Sequence, residues 1–522
     1  MTGKFTVGPS DPHPYNATVT EHPTRYADWK APRSDCATLI WPDADELVLQ
    51  TERNARALAG SSHVIVQNTP LPELRTQMRA YVGHDDARPL IATGHQTELY
   101  HPGVWIKLCL INALASRVNG IAYHIAVDTD APKHLSLRWP SNLVPVTDDP
   151  DLASAQWSGL LQTPTPAHLR DIEATLRQAA KTWAFPSAVT EFISMLRPLL
   201  LEMPNLSNAI TNATHQLDWS LGLRHSALLA SPLWECPPYL AFVHHILARP
   251  DRFARDYNAA LTVYRREHKL RSDALPMPNL VMTDDGCEVP FWLDDLSTGT
   301  RSRATVVHDG DAWSLRVADD RFVFHVDAPA LDAAGALVRF LRRHNLRLSP
   351  RALTLTMFLR MLLADQFVHG IGGGRYDQVT DVVMQTHFGL EAPSFSVTTG
   401  TLYWPGAVGR ERVCLECFAQ EGHRLKHGVL GESKSGYLSQ INHLPRGTLQ
   451  RRLAFTDMHR KLASAAVDHP DILAWASRVQ NAADQNEQDA RLFDRELFYA
   501  FQPRHRLLDM VTSYRHAFGL SS

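Results

Sequence analysis

Two histidines six residues apart, His95 and His101, enclose a short polar segment that also holds Gln96. An imidazole titrates near neutrality, so it can donate to a phosphate oxygen or move a proton as a general acid. A ring that only caps a helix or closes a turn is the competing reading. Further along, Asp128 and Asp130 stand two residues apart and are followed by Lys133 and His134. Paired carboxylates can take a proton from an attacking amine, hold a metal or bind a sugar hydroxyl; either can instead cap a turn. Lys133 can balance an anionic substrate. A third cluster, His369-Gly370-Ile371-Gly372-Gly373-Gly374, has Tyr376 just beyond it. Glycines let the backbone approach a phosphate or an adenine closely, although a flexible loop reads the same way.

Two further groupings carry charge or metal-binding chemistry. Arg265 and Arg271 lie in the basic segment Arg252–Arg271, and a guanidinium fork suits a substrate carboxylate. Such runs also serve as solvated helix faces. Cys414, Cys417, His423 and His427 spell C-x2-C-x5-H-x3-H. These are zinc-ligand types, yet the central spacing is shorter than the familiar finger's, and unligated cysteines with surface histidines compete. Serine nucleophile elbows, Walker loops and HExxH are absent from the sequence.

Positioning these groups requires a sheet with helices behind it. The apolar run Leu90–Ala92 reads as a buried strand, broken at Thr93-Gly94, with an apolar helix starting near Pro102. Ala122–Val127 reads as the next strand, so strand, helix and strand form a βαβ unit of a parallel sheet. The free N–H groups at the start of such a helix would face an anion or nucleotide. Periodic apolar positions predict helix from Asp43 to Tyr81 and from Ala167 to about Leu221. Short alternating runs between Val281 and Val326 predict an antiparallel meander. Helix is expected near Leu331–His344, sheet-like sequence over Leu353–Val368, and helix again from Tyr376 to Phe388. Long helices at Leu449–Val467 and Asp471–Phe493 could form a hairpin or a homodimer contact.

The expected fold class is α/β, a Rossmann-like parallel sheet interrupted by helical and small β insertions, with a C-terminal helical, coiled-coil-like segment. Expected boundaries are 1–150 for the N-terminal helices and first half of the core. Insertions occupy 151–345 (helical over 160–275, a meander over 281–326), with the second core half at 346–404 and the helical region at 405–522. At 522 residues several domains are expected. A net charge of −3 offers no bulk attraction for nucleic acid. The polar segment Met1–Asn16 lacks the apolar stretch of a secretory signal, and no run is long enough to span a membrane. Six cysteines in so long a chain do not make a disulfide framework and suit a reducing cytoplasm.

The ordered motifs resemble a known family. T-G-H-Q-T-E-L-Y-H-P-G, A-Y-H-I-A-V-D-T-D, S-P-R-A-L and F-V-H-G-I-G-G-G-R-Y with the later H-F-G are similar to segments of the bacillithiol biosynthesis cysteine-adding enzymes, over roughly Thr93 to Gly389. The resemblance implies a Rossmann-like core, a dimerising helical C-terminal segment, and the joining of cysteine's carboxyl to the amine of a glucosaminyl-malate acceptor. It places Gly94, His95 and Gln96 on the first turn. Asp128 and Asp130 take the places of the second strand's acidic residue and histidine, and Gly370, Gly372 and Tyr376 fall on the glycine-rich turn. Three positions depart: His95 replaces a glutamine, Asp-Thr-Asp replaces an acidic–His–Asp cluster, and Gly373 stands where an acidic residue is usual.

The resulting expectation is a cytoplasmic ligase-like enzyme of thiol metabolism, acting on small-molecule substrates. His95, His101, Asp128 and Asp130 would be catalytic. Gly94, Gln96, Gly370, Gly372, Gly373 and Tyr376 would cradle a nucleotide such as ATP or ADP, or an activated acyl group. Lys133, Arg265 and Arg271 would bind substrate. The alternative is a catalytically inactive nucleotide- or thiol-binding regulatory protein of the same fold.

Overall fold

The computed structural model describes residues 20–21, 29–84, 86–272, 274–407 and 415–521. The N-terminal segment Met1–Asn16 therefore lies outside the described residues. The chain divides into two units: Met1–Leu402 with Arg495–Ser522, and Tyr403–Asp494.

The first unit is mixed α/β around a mostly parallel sheet. Its seven strands are β1 (Thr20–Glu21), β2 (Thr38–Trp41), β3 (Leu90–Gln96), β4 (Ile121–Val127), β5 (Ser226–Leu229), β6 (Gln366–His369) and β7 (Ser396–Gly400). They lie in the order β1-β2-β7-β6-β3-β4-β5. The five from β7 to β5 are mutually parallel, and β2 pairs antiparallel with β7. From β3 the chain moves outward through β4 to β5, whereas β6 and β7 fill the opposite side. The strand order thus reverses between β3 and β6, the position at which open α/β sheets leave a ligand crevice at their carboxyl ends.

Sequence explains these central elements. Leu90, Ile91 and Ala92 are fully buried, as a parallel strand covered on both faces requires. Helix α1 (Ala44–Ala59) carries an Asp43 cap, and α2 (Leu71–Tyr81) starts with prolines at its entry. Between them a two-stranded hairpin turns at Gln67 and Asn68, both at positive φ. This hairpin separates the two periodic stretches of the helical span expected over Asp43–Tyr81. Helix α3 (Pro102–Arg117) is apolar all round and almost wholly buried, the pattern of a helix packed inside the molecule.

Three expectations change. Strand β3 runs on through Gly94 to Gln96 instead of breaking at Thr93-Gly94. Leu353–Leu363 is helical, ending in a π turn before β6. Every residue from Met357 to Leu363 is buried, and an apolar run without a polar face has no periodicity to separate helix from strand. Helix α4 begins at Ile371 and runs to Val383, so the glycine run forms its first turn instead of a loop before Tyr376.

The insertion over 160–275 contains helices Pro166–Ala180, Val189–Glu202 and Leu206–Ser220. The meander comprises Gly286–Asp295, Thr300–Asp309, Ala312–Val317 and Asp320–Phe324, with Leu346–Pro350 paired to its first strand. Residues 495–522, expected in the C-terminal region, belong to the first unit, where Tyr514 and Thr398 share a hydrogen bond of 2.5 Å. The second unit consists of helices Leu415–Gly428, Ser433–His443, Leu449–Ala466 and Pro470–Asp489, with a small core at Ile441, Met458 and Leu462. Among the described residues no helix is long and apolar enough to cross a membrane.

Candidate active site at the carboxyl ends of the central strands

Register brings the two glycine-bearing segments together. Val368 of β6 pairs with Thr93 of β3, so His369 and Gly370 emerge beside Gly94 and His95. On the other side of β3, His95 pairs with Ala126 and Gln96 with Val127, next to the Asp128 turn. Gly94 itself is an ordinary strand residue; an added Cβ would meet its nearest atom at 3.5 Å.

His95 Nε2 lies 2.8 Å from Glu98 Oε1. The other Glu98 oxygen accepts the backbone N–H groups of Lys133 and His134 at 2.7 and 3.2 Å. Burial alone would raise this carboxyl, but the hydrogen bond and electrostatic pull of His95, with the Lys133 N–H, hold it down at about 2. An ionised carboxylate only accepts, so the bridging proton sits on Nε2. Burial is the largest influence on His95 and pushes its ring below the ordinary 6.5. The imidazole is therefore neutral at pH 7, with the Nδ1 lone pair unused by any described residue. A carboxylate that fixes tautomer and orientation, leaving the far nitrogen as the base, is the arrangement found in hydrolytic triads.

Lys107 of α3 is buried and donates to the Gly94 carbonyl at 2.7 Å. Burial pushes its ammonium down to about 7, against the pull of Glu98. A lysine poised near neutrality can give or take a proton.

The two helix starts differ in a way the sequence did not disclose. At α3, Pro102 has no N–H, the Gly103 N–H goes to His101 Nδ1 at 3.1 Å, and those of Val104 and Trp105 go to the His101 carbonyl. That terminus is closed to an anion. His101 is the cap, and burial lowers its ring to about 3, keeping it a neutral acceptor. Its Nδ1 is committed to the Gly103 N–H and not to proton transfer. At α4 the first bond is Gly374 N–H to the Gly370 carbonyl at 3.0 Å, and Gly370 offers no side-chain cap. The N–H groups of Ile371, Gly372 and Gly373 have no partner among the described residues. A Cβ at Gly370 or Gly372 would meet nothing within 4 Å, whereas one at Gly373 would strike His369 Nδ1 at 2.8 Å. His369 is held by Asp377 at 2.9 Å, and Tyr376 is exposed on the same helix.

The remaining expected site residues separate into three groups. Asp128 is a structural cap: its oxygens accept the Ser231 N–H at 2.8 Å and the Ser231 hydroxyl at 2.5 Å. Asp130 stays on the rim, half exposed, accepting from Gln96 Nε2 at 2.6 Å. Lys133 is exposed beside Glu98. Arg265 is no substrate clamp, because its donors go to Leu275 O, Asn279 Oδ1 and Met277 O at 2.8, 2.7 and 2.6 Å, tying down its own loop. Arg271 is exposed on that loop. Of the zinc-type residues, Cys414 lies outside the described residues, and Cys417 is disulfide-bonded, which removes its thiolate as a ligand. His423 and His427 lie against each other at a tilt of 45°, with ring centroids 4.3 Å apart.

Sequence reading missed Glu98 and Lys107. The signals were present: an acid three residues after His95, and a lone lysine inside an otherwise apolar helix. No protein-family model and no curated protein matches the chain.

Proposed function

We propose that this chain is an enzyme that binds an anionic small molecule in the crevice between β3 and β6 and forms an amide bond on a small amine. We read its sheet as a Rossmann-like core, in keeping with the resemblance to the cysteine-adding enzymes. The observation that carries the proposal is the His95–Glu98 pair, whose unused Nδ1 stands at the point where the strand order reverses. In the reaction the amine nitrogen attacks an activated acyl carbon. Its proton passes to Nδ1, and the leaving group departs with the electron pair of the broken bond. The uncapped start of α4 and Lys107 supply positive charge for a phosphate or carboxylate of the acyl donor. A nucleotide such as ATP or ADP fits that chemistry as activator. Cysteine as the acyl part, an amino-sugar as acceptor, a cytoplasmic setting and dimerisation through the second unit's helices belong to the same proposal.

The closure of Asp128 as a cap favours one other reading, a binding protein that has lost catalysis. Incubating the purified protein with ATP, cysteine and a panel of amino-sugars, followed by mass spectrometry, separates the two. A new amide supports the enzyme. A ligand-induced rise in melting temperature without product supports the binder.

A further inference from the structure

Arg301 reaches from the meander to the turn that follows β4. Its Nε donates to the fully buried Asp294 at 2.6 Å, and Nη2 donates to the Thr129 carbonyl at 2.5 Å. The guanidinium lies over Trp157 and Trp292, with its carbon 5.0 and 5.5 Å from the ring centroids. Asp294 is itself fixed by Arg347 and by Ser349 at 2.5 Å. Arg301 is thus oriented before any ligand arrives. Its remaining nitrogen, Nη1, makes no hydrogen bond among the described residues and stands 4.0 Å from Asp130 Oδ1. That distance is too long for a hydrogen bond.

The two groups differ in access in a way that suits a ligand. The Arg301 side chain is 18% exposed and that of Asp130 is 52% exposed. Asp130 is steadied by Gln96 Nε2 at 2.6 Å and by the Ala131 N–H at 3.0 Å. A fixed donor and a fixed acceptor with a short gap between them match a molecule whose own carboxylate and ammonium are neighbours. We propose that Arg301 Nη1 and Asp130 form a subsite for an α-amino acid zwitterion, the carboxylate on Arg301 and the ammonium on Asp130. This rests on the reading above, whose acyl part is an amino acid, and it assigns a role in holding that part to an insertion residue outside the sheet. Guanidinium–carboxylate and ammonium–carboxylate contacts are the strong, charge-assisted kind, so each partner matters.

The test is equilibrium binding by calorimetry, with glycine and L-cysteine as probes and with acetate and methylamine as half-probes. The wild-type protein should bind both zwitterions and bind each half-probe at least tenfold more weakly. D130N and R301Q should each weaken glycine binding by about tenfold or more, the cost of one charge-assisted hydrogen bond. R301Q also loosens Asp294, so D130N, a rim change, keeps the test independent of folding. No glycine binding by the wild type, or unchanged affinity in D130N, overturns the subsite and leaves a plain surface ion pair. H95Q separates this from the enzymatic proposal. Glycine binding retained with turnover also retained sinks the His95 mechanism alone, and turnover lost in H95Q without zwitterion binding by the wild type sinks the subsite alone.

Discussion

Replacing Glu98 with glutamine probes the His95–Glu98 pair at its base. A carboxyl held at about 2 instead of its ordinary 4.5 corresponds to about 3 kcal/mol of folding stability, at about 1.36 kcal/mol per tenfold. The folded value is depressed, so this stabilisation is fully present above pH 4.5 and disappears as pH falls through about 2. Denaturant unfolding of wild type and Glu98→Gln should therefore give a difference of about 3 kcal/mol at pH 6–7 that shrinks strongly toward pH 2. The same change alters the imidazole. Glutamine can present its amide N–H₂ to Nε2, which moves the ring proton to Nδ1 and removes the lone pair there. Nitrogen NMR of labelled histidine should show Nε2–H in the wild type and a shift toward Nδ1–H in the variant. Turnover of the amine should drop by about 10² to 10⁴-fold. A stability difference that stays constant between pH 7 and pH 2, or an unchanged tautomer, would refute the reasoning.

Lys107→Met tests the second group. A lysine lowered from 10.5 to about 7 makes the folded state bind fewer protons than the unfolded chain between those values, so wild-type stability rises with pH there. Urea unfolding should show a gain of about 3 kcal/mol from pH 7 to 9.5 that Lys107→Met lacks; equal pH slopes would remove Lys107 as a buried titrating group. Asp128→Ala should cost about 1–3 kcal/mol through its lost bonds to Ser231, while Asp128→Asn should leave the chemical step within a few-fold; a loss near a hundredfold by Asn with folding intact would restore Asp128 as a base. The α4 glycines should behave oppositely in thermal melts. Gly372→Ala, with open space around its Cβ, should stabilise by about 0.5–1 kcal/mol, and Gly373→Ala, which strikes His369 Nδ1 at 2.8 Å, should destabilise. Equal effects would mean that the α4 start is not placed as described.

Much of the sheet was legible because its strands are short apolar runs bounded by polar turns. Leu90–Ala92 and Ala122–Val127 are found where expected, and Pro102 marked the true start of α3. The convergence of His95 with the glycine run followed from parallel pairing. What escaped was decided by partners far away in sequence. Asp128 is closed by Ser231, and Arg265 by its own loop carbonyls. His101-Pro102 and His369-Gly370 look alike in sequence, each a histidine at a helix entry. Only the hydrogen bonds separate a terminus satisfied by its own cap from one whose first three N–H groups have no partner among the described residues. Arg301 could not be tied to Asp130 from sequence, because the meander's path back to the rim is a tertiary fact.

The most direct trial of the central claim compares wild type and His95→Gln with the same metabolite extract, read by mass spectrometry. The account predicts that an amine is consumed and an amide appears with the wild type, and that the variant, folded to the same melting temperature, forms about a hundredfold less or none. Amide formation at equal rates by both proteins would contradict it.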